Sequence, residues 1–372
     1  MAGIYVHIPF CKQACTYCDF HFSTNLSNQD QLTQAICLEI EQRKKELDSK
    51  PQTLYFGGGS PSILSDHNMI LLMEQLNRHF DLSQLTETTI ETNPDDHSEE
   101  KLAFWKSLGF DRLSIGIQSF VERDLRWMNR AHSAHEAVTC VAKAAEAGFE
   151  KHTIDLIYGI PNQSMKEWES NIGKAIDLGV NHISAYCLTV EAKTALAHRV
   201  NKGLDHEKSH EVIEQEFHLL QDHLKRAGFR QYELSNFAKP GFEAVHNANY
   251  WSGKPYLGLG PSAHSFDGES KRRWNVANNM KYIKGVPSNS YTEGETLTET
   301  DRVNEQLMTS LRTAVGLEKV NISDIHWDQI MRQVDQMPAA LQAMLDIDEI
   351  GIKIKPKHWL MSDAVIRELM IA

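Results

Sequence analysis

Short apolar, β-branched runs alternate with amphipathic stretches along the first half of the chain, and that alternation sets the expectation for the fold. Gly3–His7, Thr53–Phe56, Thr88–Thr92, Arg112–Gln118, His152–Tyr158 and His182–Thr189 read as six strands. Between them, apolar residues recur near helical spacing over Asn28–Leu47, Met69–Phe80, Glu99–Leu108, Ser133–Ala147 and Met165–Leu178. The last two stretches are followed by Gly148 and Gly179, residues suited to a left-handed helix cap. Strands separated in this way by helices predict right-handed βαβ units and a parallel sheet, an α/β fold. Six strands are too few for a closed eight-stranded barrel.

A long helix from His206 to Arg226, ended by Gly228, carries the chain away from that repeat. Residues 230 to 290 then lose the alternation and become rich in Gly, Asn, Pro and aromatic side chains. This predicts a loop-dominated accessory region with too much Trp and Tyr to be disordered. Helical spacing returns at Val303–Leu311, Ile322–Met331 and Pro338–Leu345. The end reads as a small strand pair over Ile350–Pro356 and a last helix over Asp363–Met370. The expected organisation is a barrel over residues 1–228, an accessory region over 229–295 and a small helical domain over 296–372.

Cys11, Cys15 and Cys18 follow directly on the first apolar run. A C-x3-C-x2-C loop gathers three thiolates, whose mutual repulsion and desolvation only a bound metal or cluster offsets. Three thiolates on a cubane leave one iron without a protein ligand, and an open iron is a place for chemistry. Zinc is the plain alternative, with His7, Asp19 or His21 as a fourth ligand. Structural zinc sites usually draw on paired ligands from separate segments, and no second C-x2-C or H-x3-H follows.

The cysteine loop, its flank Tyr5-Val-His-Ile-Pro-Phe-Cys11 and the later Gly57-Gly58-Gly59-Ser60-Pro61 resemble the radical S-adenosylmethionine (SAM) superfamily. Within it, the chain resembles over nearly its whole length the oxygen-independent coproporphyrinogen III oxidase group, and most of all that group's HemW-type haem chaperones. The resemblance implies a partial barrel of six βα units, a 4Fe-4S cluster on the three cysteines, SAM at its open iron, and a C-terminal domain of winged-helix character.

Polar residues at the carboxyl ends of barrel strands point into the site. Gly58, Gly59 and Ser60 end the second strand, where exposed backbone amides would suit the amino and carboxylate groups of SAM. Glu91 ends the third strand and Gln118 the fourth, while Asp155 lies within the apolar fifth. A carboxylate there is costly unless paired. By resemblance, Glu91 serves the ribose hydroxyls, Gln118, Arg130 and Asp155 the rest of the SAM site, and Tyr5 and Thr189 make further contacts. The alternative readings are structural ion pairs or caps for Glu91 and Asp155 and a surface base for Arg130, while packing would equally account for Tyr5 and Thr189.

The resemblance divides on two functions. True coproporphyrinogen oxidases carry a further cysteine where this chain has Phe20, and an extension before a cysteine loop that here begins at residue 11. In turn His246-Asn-Ala-Asn-Tyr-Trp251 matches the H-N-x-x-Y-W signature associated with haem binding in HemW-type proteins. His246 would ligate the iron, with Tyr250 and Trp251 as flat apolar faces. His264, in Tyr256-Leu-Gly-Leu-Gly-Pro-Ser-Ala-His264, is a secondary candidate beside an expected tight turn. The leading expectation is a haem chaperone that hands haem to an acceptor haemoprotein. The alternatives are anaerobic oxidative decarboxylation of coproporphyrinogen III and a zinc-stabilised barrel without redox chemistry. The chaperone reading implies an electron donor for the cluster, and an exposed haem loop would support a haem-dependent homodimer.

Composition adds limits. The 372 residues are 41% hydrophobic and 24% charged, as in ordinary globular proteins. A net charge of -12 argues against nucleic acid, since no basic stripe neutralises phosphates. The run Lys271-Arg272-Arg273 is too short to alter this and reads as a solvated loop or an anion contact. With no apolar run long enough to span a bilayer and no signal peptide, the expected location is cytoplasmic, with membrane association only through a partner. Cys37, Cys140 and Cys187 have no paired spacing and read as buried thiols in a reducing compartment.

Overall fold

A computed structural model describes residues 2–371. Six parallel strands follow one another in the sheet in chain order: β1 (Ala2–Ile8), β2 (Pro51–Gly58), β3 (Glu87–Thr92), β4 (Arg112–Gln118), β5 (Lys151–Tyr158) and β6 (His182–Cys187). Their helices are α1 (Gln29–Arg43), α2 (Asp66–His79), α3 (Glu99–Ser107), α4 (Glu122–Trp127), α5 (Ala134–Glu146) and α6 (Met165–Asp177). Strand residues such as Ile4, Val6, Leu54, Phe56, Ile90, Leu113, Ile154 and Ile183 are buried against the helices, beside Trp105 and Trp168. Ser133 with Glu136 and Ser164 with Glu167 form capping boxes that fix where α5 and α6 begin. The expected partial (βα)6 barrel is therefore the observed one.

Strands from residues 230–296 extend the same sheet at both edges. Beyond β6 lie α7 (Ala195–Asn201), α8 (His210–Arg226) and the short antiparallel β7 (Arg230–Gln231) and β8 (Asn236–Ala238). After α9 (Val245–Trp251), β9 (Tyr256–Leu259) returns to pair parallel with β1. An antiparallel ribbon of β10 (His264–Phe266), β11 (Lys271–Asn275) and β12 (Thr292–Thr296) continues outward from it. The loop-dominated region expected here thus also contains six short strands, whose pairing comes from backbone ladders and not from an apolar pattern. α10 (Asn279–Gly285) lies between the last two strands.

One buried carboxylate ties this ribbon to α1. Glu39, with no exposed surface, accepts from Arg43 (2.9 Å), Asn275 (2.8 Å), the Gly260 amide (2.7 Å) and the Tyr282 hydroxyl. Arg43 also donates to the Gly258 carbonyl at 2.7 Å and to Ser265 at 2.9 Å. Each charge is paired and bonded, as a buried ion pair requires.

The C-terminal part packs α11 (Glu299–Ser310), α12 (Asp324–Gln336), α13 (Ala339–Gln342) and α14 (Ser362–Leu369) with a three-stranded sheet, β13 (Leu317–Glu318), β14 (Leu345–Ile347) and β15 (Gly351–Ile354). Leu345, expected at a helix end, begins the β14–β15 hairpin instead.

Candidate functional site

The cysteine loop leaves the carboxyl end of β1 and is tied to the barrel at several points. The Cys11 amide bonds the Ser23 carbonyl at 3.0 Å, the Thr16 amide the Met128 carbonyl at 3.0 Å, and Asn129 the Ala14 carbonyl at 2.7 Å. Lys12 pairs with Asp95 at 2.7 Å and with Asp96. Cys11, Cys15 and Cys18 are free and half-buried on this frame. Burial first of all pushes the Cys11 thiol up to about 12 and Cys18 to about 11, so ionising them calls for a bound cation. Arg130 stands 3.3 Å from the Cys15 sulfur and Ser60 Oγ 4.0 Å from that of Cys11. Among the described residues, no three His, Cys, Asp or Glu side chains converge to hold a single ion. A cubane takes one thiolate per iron, so the donor set fits a cluster. The three thiols lie within one short loop.

The cofactor-side residues converge on the same end of the barrel. Asn93, just past β3, donates to Ser60 Oγ at 2.7 Å and accepts from Arg130 at 2.6 Å, and Arg130 also holds the Gly116 carbonyl at 2.7 Å. Asn93 was not singled out from sequence, although the strand-end rule that selected Glu91 would have found it. Glu91 accepts from Tyr55 at 2.8 Å and from the Gly58 amide at 2.9 Å, and burial raises its pKa. Burial first, then the charge of Glu91, lifts Asp155 to about 7. Gln118 has φ 67°, a left-handed conformation that costs a non-glycine residue on the order of 1–3 kcal/mol and turns its side chain at the end of β4.

Three expectations need correction. The amides of Gly58, Gly59 and Ser60 are not free for a ligand: they bond Glu91 (2.9 Å), the Ile8 carbonyl (2.9 Å) and the Phe10 carbonyl (2.7 Å). The glycine-rich stretch prolongs the parallel ladder with β1 and so props the cysteine loop. Thr189 lies beyond β6, which ends at Cys187, and is exposed. Of the remaining cysteines only Cys140 is buried, while Cys37 and Cys187 are half-buried.

The H-N-x-x-Y-W stretch is not an exposed loop. It forms α9, and His246 is 2% exposed against the barrel strands. Its Nδ1 bonds Thr53 Oγ1 at 2.8 Å, its Nε2 bonds the Tyr250 hydroxyl at 2.9 Å, and its ring stacks on Tyr55 and Tyr5. Burial lowers its pKa to about 3. Glu87 accepts from the amides of Val245 and His246, both at 2.9 Å, fixing the start of α9. Both ring nitrogens are therefore engaged, and an iron could reach neither without breaking a buried hydrogen bond.

Two cavities share Tyr5, Glu91 and Tyr250 as wall residues. The inner one, about 230 Å³, lies under α9 and is lined by Arg112, Thr89 and His182 among others. Among the described residues, Thr89 Oγ1 and His182 Nδ1 are buried there without a partner, a setting suited to ordered water. The outer one, about 400 Å³, opens beside the cysteine loop and is lined by His7, Asp19, Phe20, His21, Tyr256 and His264, among others.

A six-stranded parallel barrel with three cysteines on the loop after its first strand defines a radical SAM protein. A family model described as "Radical SAM superfamily" matches residues 5–175. That superfamily implies a 4Fe-4S cluster and SAM. "Heme chaperone HemW" of Bacillus subtilis is 35% identical over 332 residues, 87% of this chain and 86% of that protein. The protein of the same name from Mycobacterium tuberculosis is 32% identical over 376 residues, 99% and 94% of the two chains, and that of Escherichia coli 31% over 341 residues, 90% and 89%. Coproporphyrinogen III oxidase (HemN) from Escherichia coli superposes with a TM-score of 0.84 at 24% identity, covering 99% of this chain and 90% of that one, a likeness of fold. The chain belongs to the HemW family.

Proposed function

We propose that this protein binds a 4Fe-4S cluster, SAM and haem, and passes haem to an acceptor protein. The observation that carries the reading is near full-length similarity to proteins named haem chaperones, at 31–35% identity. Cys11, Cys15 and Cys18 would hold the cluster, whose open iron would bind SAM and, when reduced by an electron donor, supply an electron to the sulfonium. Glu91, Gln118, Arg130 and Asp155 would line the SAM site, with Tyr5, Gly58, Gly59 and Ser60 shaping its wall. Among the described residues no helix is long and apolar enough to cross a membrane, which accords with a cytoplasmic site of action.

Phe20 favours this reading over porphyrinogen decarboxylation. It occupies the position where the oxidases have a further cysteine, and its side chain is 70% exposed beside the outer cavity, an apolar surface where a flat ligand would rest. The inner cavity is too small for a porphyrin, whereas the outer one lies within the range of ligand sites. Protein loaded with haem should transfer it to an apo-haemoprotein, measured by the acceptor's spectrum with and without SAM. Failure to bind haem at all, or conversion of coproporphyrinogen III by the reconstituted protein, would overturn the reading.

A further inference from the structure

Resting on the haem-binding reading, the geometry points to His264, and not His246, as the axial ligand of the bound haem, on a platform formed by one face of the β9–β10–β11 ribbon. In antiparallel pairs, residues opposite one another share a face and alternate along the strand. His264 is opposite Trp274, and Phe266 is opposite both Arg272 and Tyr256. One face therefore presents an imidazole, three aromatic rings and a guanidinium together. The intervening Ser265 points the other way and is buried against Arg43.

Each member has chemistry suited to a porphyrin. The His264 side chain is exposed, lines the outer cavity, and has no hydrogen-bond partner for either ring nitrogen among the described residues. Both other histidines of that cavity have Nε2 hydrogen-bonded, and His7 has Nδ1 bonded as well. His7 bonds Tyr5 and the His21 carbonyl, both at 3.0 Å, and His21 spends Nε2 on Asn279 at 2.7 Å. Partial desolvation at the cavity wall, then the charge of Arg272, lowers the His264 pKa, which favours the neutral ring that binds iron. Trp274 stacks on it with centroids 6.2 Å apart. Arg272 is paired with Glu305 and, at 3.6 Å, Glu295, so a propionate would draw it from existing carboxylates. A ligand at the cavity mouth can also be surrendered to an acceptor, whereas one under α9 cannot without unpacking the barrel.

The H-N-x-x-Y-W stretch then has a positioning role. His246 holds Tyr250, and Tyr250 meets Tyr256 edge-on at 4.7 Å between centroids, so α9 sets the floor of the outer cavity. Truncating His246 would disturb haem binding indirectly, and loss of binding alone cannot identify the ligand.

Replacing the ligand type can. Ferric and ferrous haem would be titrated into the reconstituted full chain and into His264→Ala, His264→Cys and His246→Ala variants, recording absorption and electron paramagnetic resonance spectra, with circular dichroism to confirm folding. His264→Ala should weaken haem binding tenfold or more and abolish the histidine-ligand signature. His264→Cys should bind haem with a thiolate signature, which a structural role would not produce. His246→Ala or Tyr250→Phe should weaken binding but leave the residual signature that of histidine. Wild-type spectra in His264→Ala and His264→Cys, with the histidine signature lost only in His246→Ala, would overturn this assignment and leave the haem-binding reading intact. Absence of haem binding by the wild type would instead overturn the function proposed above.

Discussion

Gly58 meets His7 so closely that a single methyl group there should nearly unfold the protein. Its φ is 111°, and a Cβ would lie 2.4 Å from His7 Cε1, 2.5 Å from Nδ1 and 2.8 Å from Nε2. The ring cannot swing aside freely, being 5% exposed and bonded at both nitrogens. Overpacking costs about 1–3 kcal/mol, an unfavourable backbone about 1–3, and two disrupted hydrogen bonds about 1 each, together about 4–8 kcal/mol. That is comparable with the whole stability of many domains. Gly173 is the control: it sits within α6 with nothing within 4 Å of its Cβ position, so Gly173→Ala should stabilise by about 0.5–1 kcal/mol. Urea unfolding of both variants, and of His7→Ala with and without Gly58→Ala, forms a double-mutant cycle. The cost of Gly58→Ala should shrink by at least about 1 kcal/mol when the ring is absent. A Gly58→Ala midpoint within about 1 kcal/mol of wild type, or a cost unchanged by removing His7, would refute the steric argument.

Other outcomes follow from the buried charges. Glu39→Gln removes one of the two carboxylates beside Arg43, leaving Glu46 at 2.7 Å, and should cost about 1–3 kcal/mol, with hydrogen exchange rising first at β9–β11; uniform protection would contradict the tie described for Glu39. For Asp155, whose pKa of about 7 exceeds the ordinary 3.8, the folded state holds its proton more tightly than the unfolded chain. Stability should therefore fall as pH rises from about 4 to about 7, by at most about 4 kcal/mol. Asp155→Asn should flatten that slope in thermal melts against pH. A cationic sulfonium placed nearby would favour the carboxylate, so SAM binding near pH 6.5 should release protons measurable by calorimetry in buffers of different ionisation enthalpy, and Asp155→Asn should remove that release.

The six barrel strands could be read from sequence because each is a short run rich in apolar or β-branched residues and largely buried on both faces, and five of the helices because their buried stripes repeat at helical spacing. β11 was invisible for the opposite reason. Lys271-Arg272-Arg273-Trp274-Asn275 has no apolar period, and its order comes from ladders to β10 and β12. α9 was missed because the face it packs inward, including His246, Asn249 and Tyr250, is polar, so hydropathy carries no trace of it. The cysteine trio was legible because its spacing has little other use. The glycine stretch was misread because sequence cannot tell a free amide from one already bonded across a ladder.

The partners of β1 arrive at very different times. β2 is about 50 residues downstream, whereas Gly3 and Tyr256 on β9 are roughly 250 apart. At about 5–20 residues per second of synthesis, one edge of β1 stays unpaired for on the order of ten seconds or more after β2 emerges. During that interval the nascent cysteine loop lacks the ribbon that later walls the outer cavity, so that side of the loop stays open to solvent until the ribbon docks.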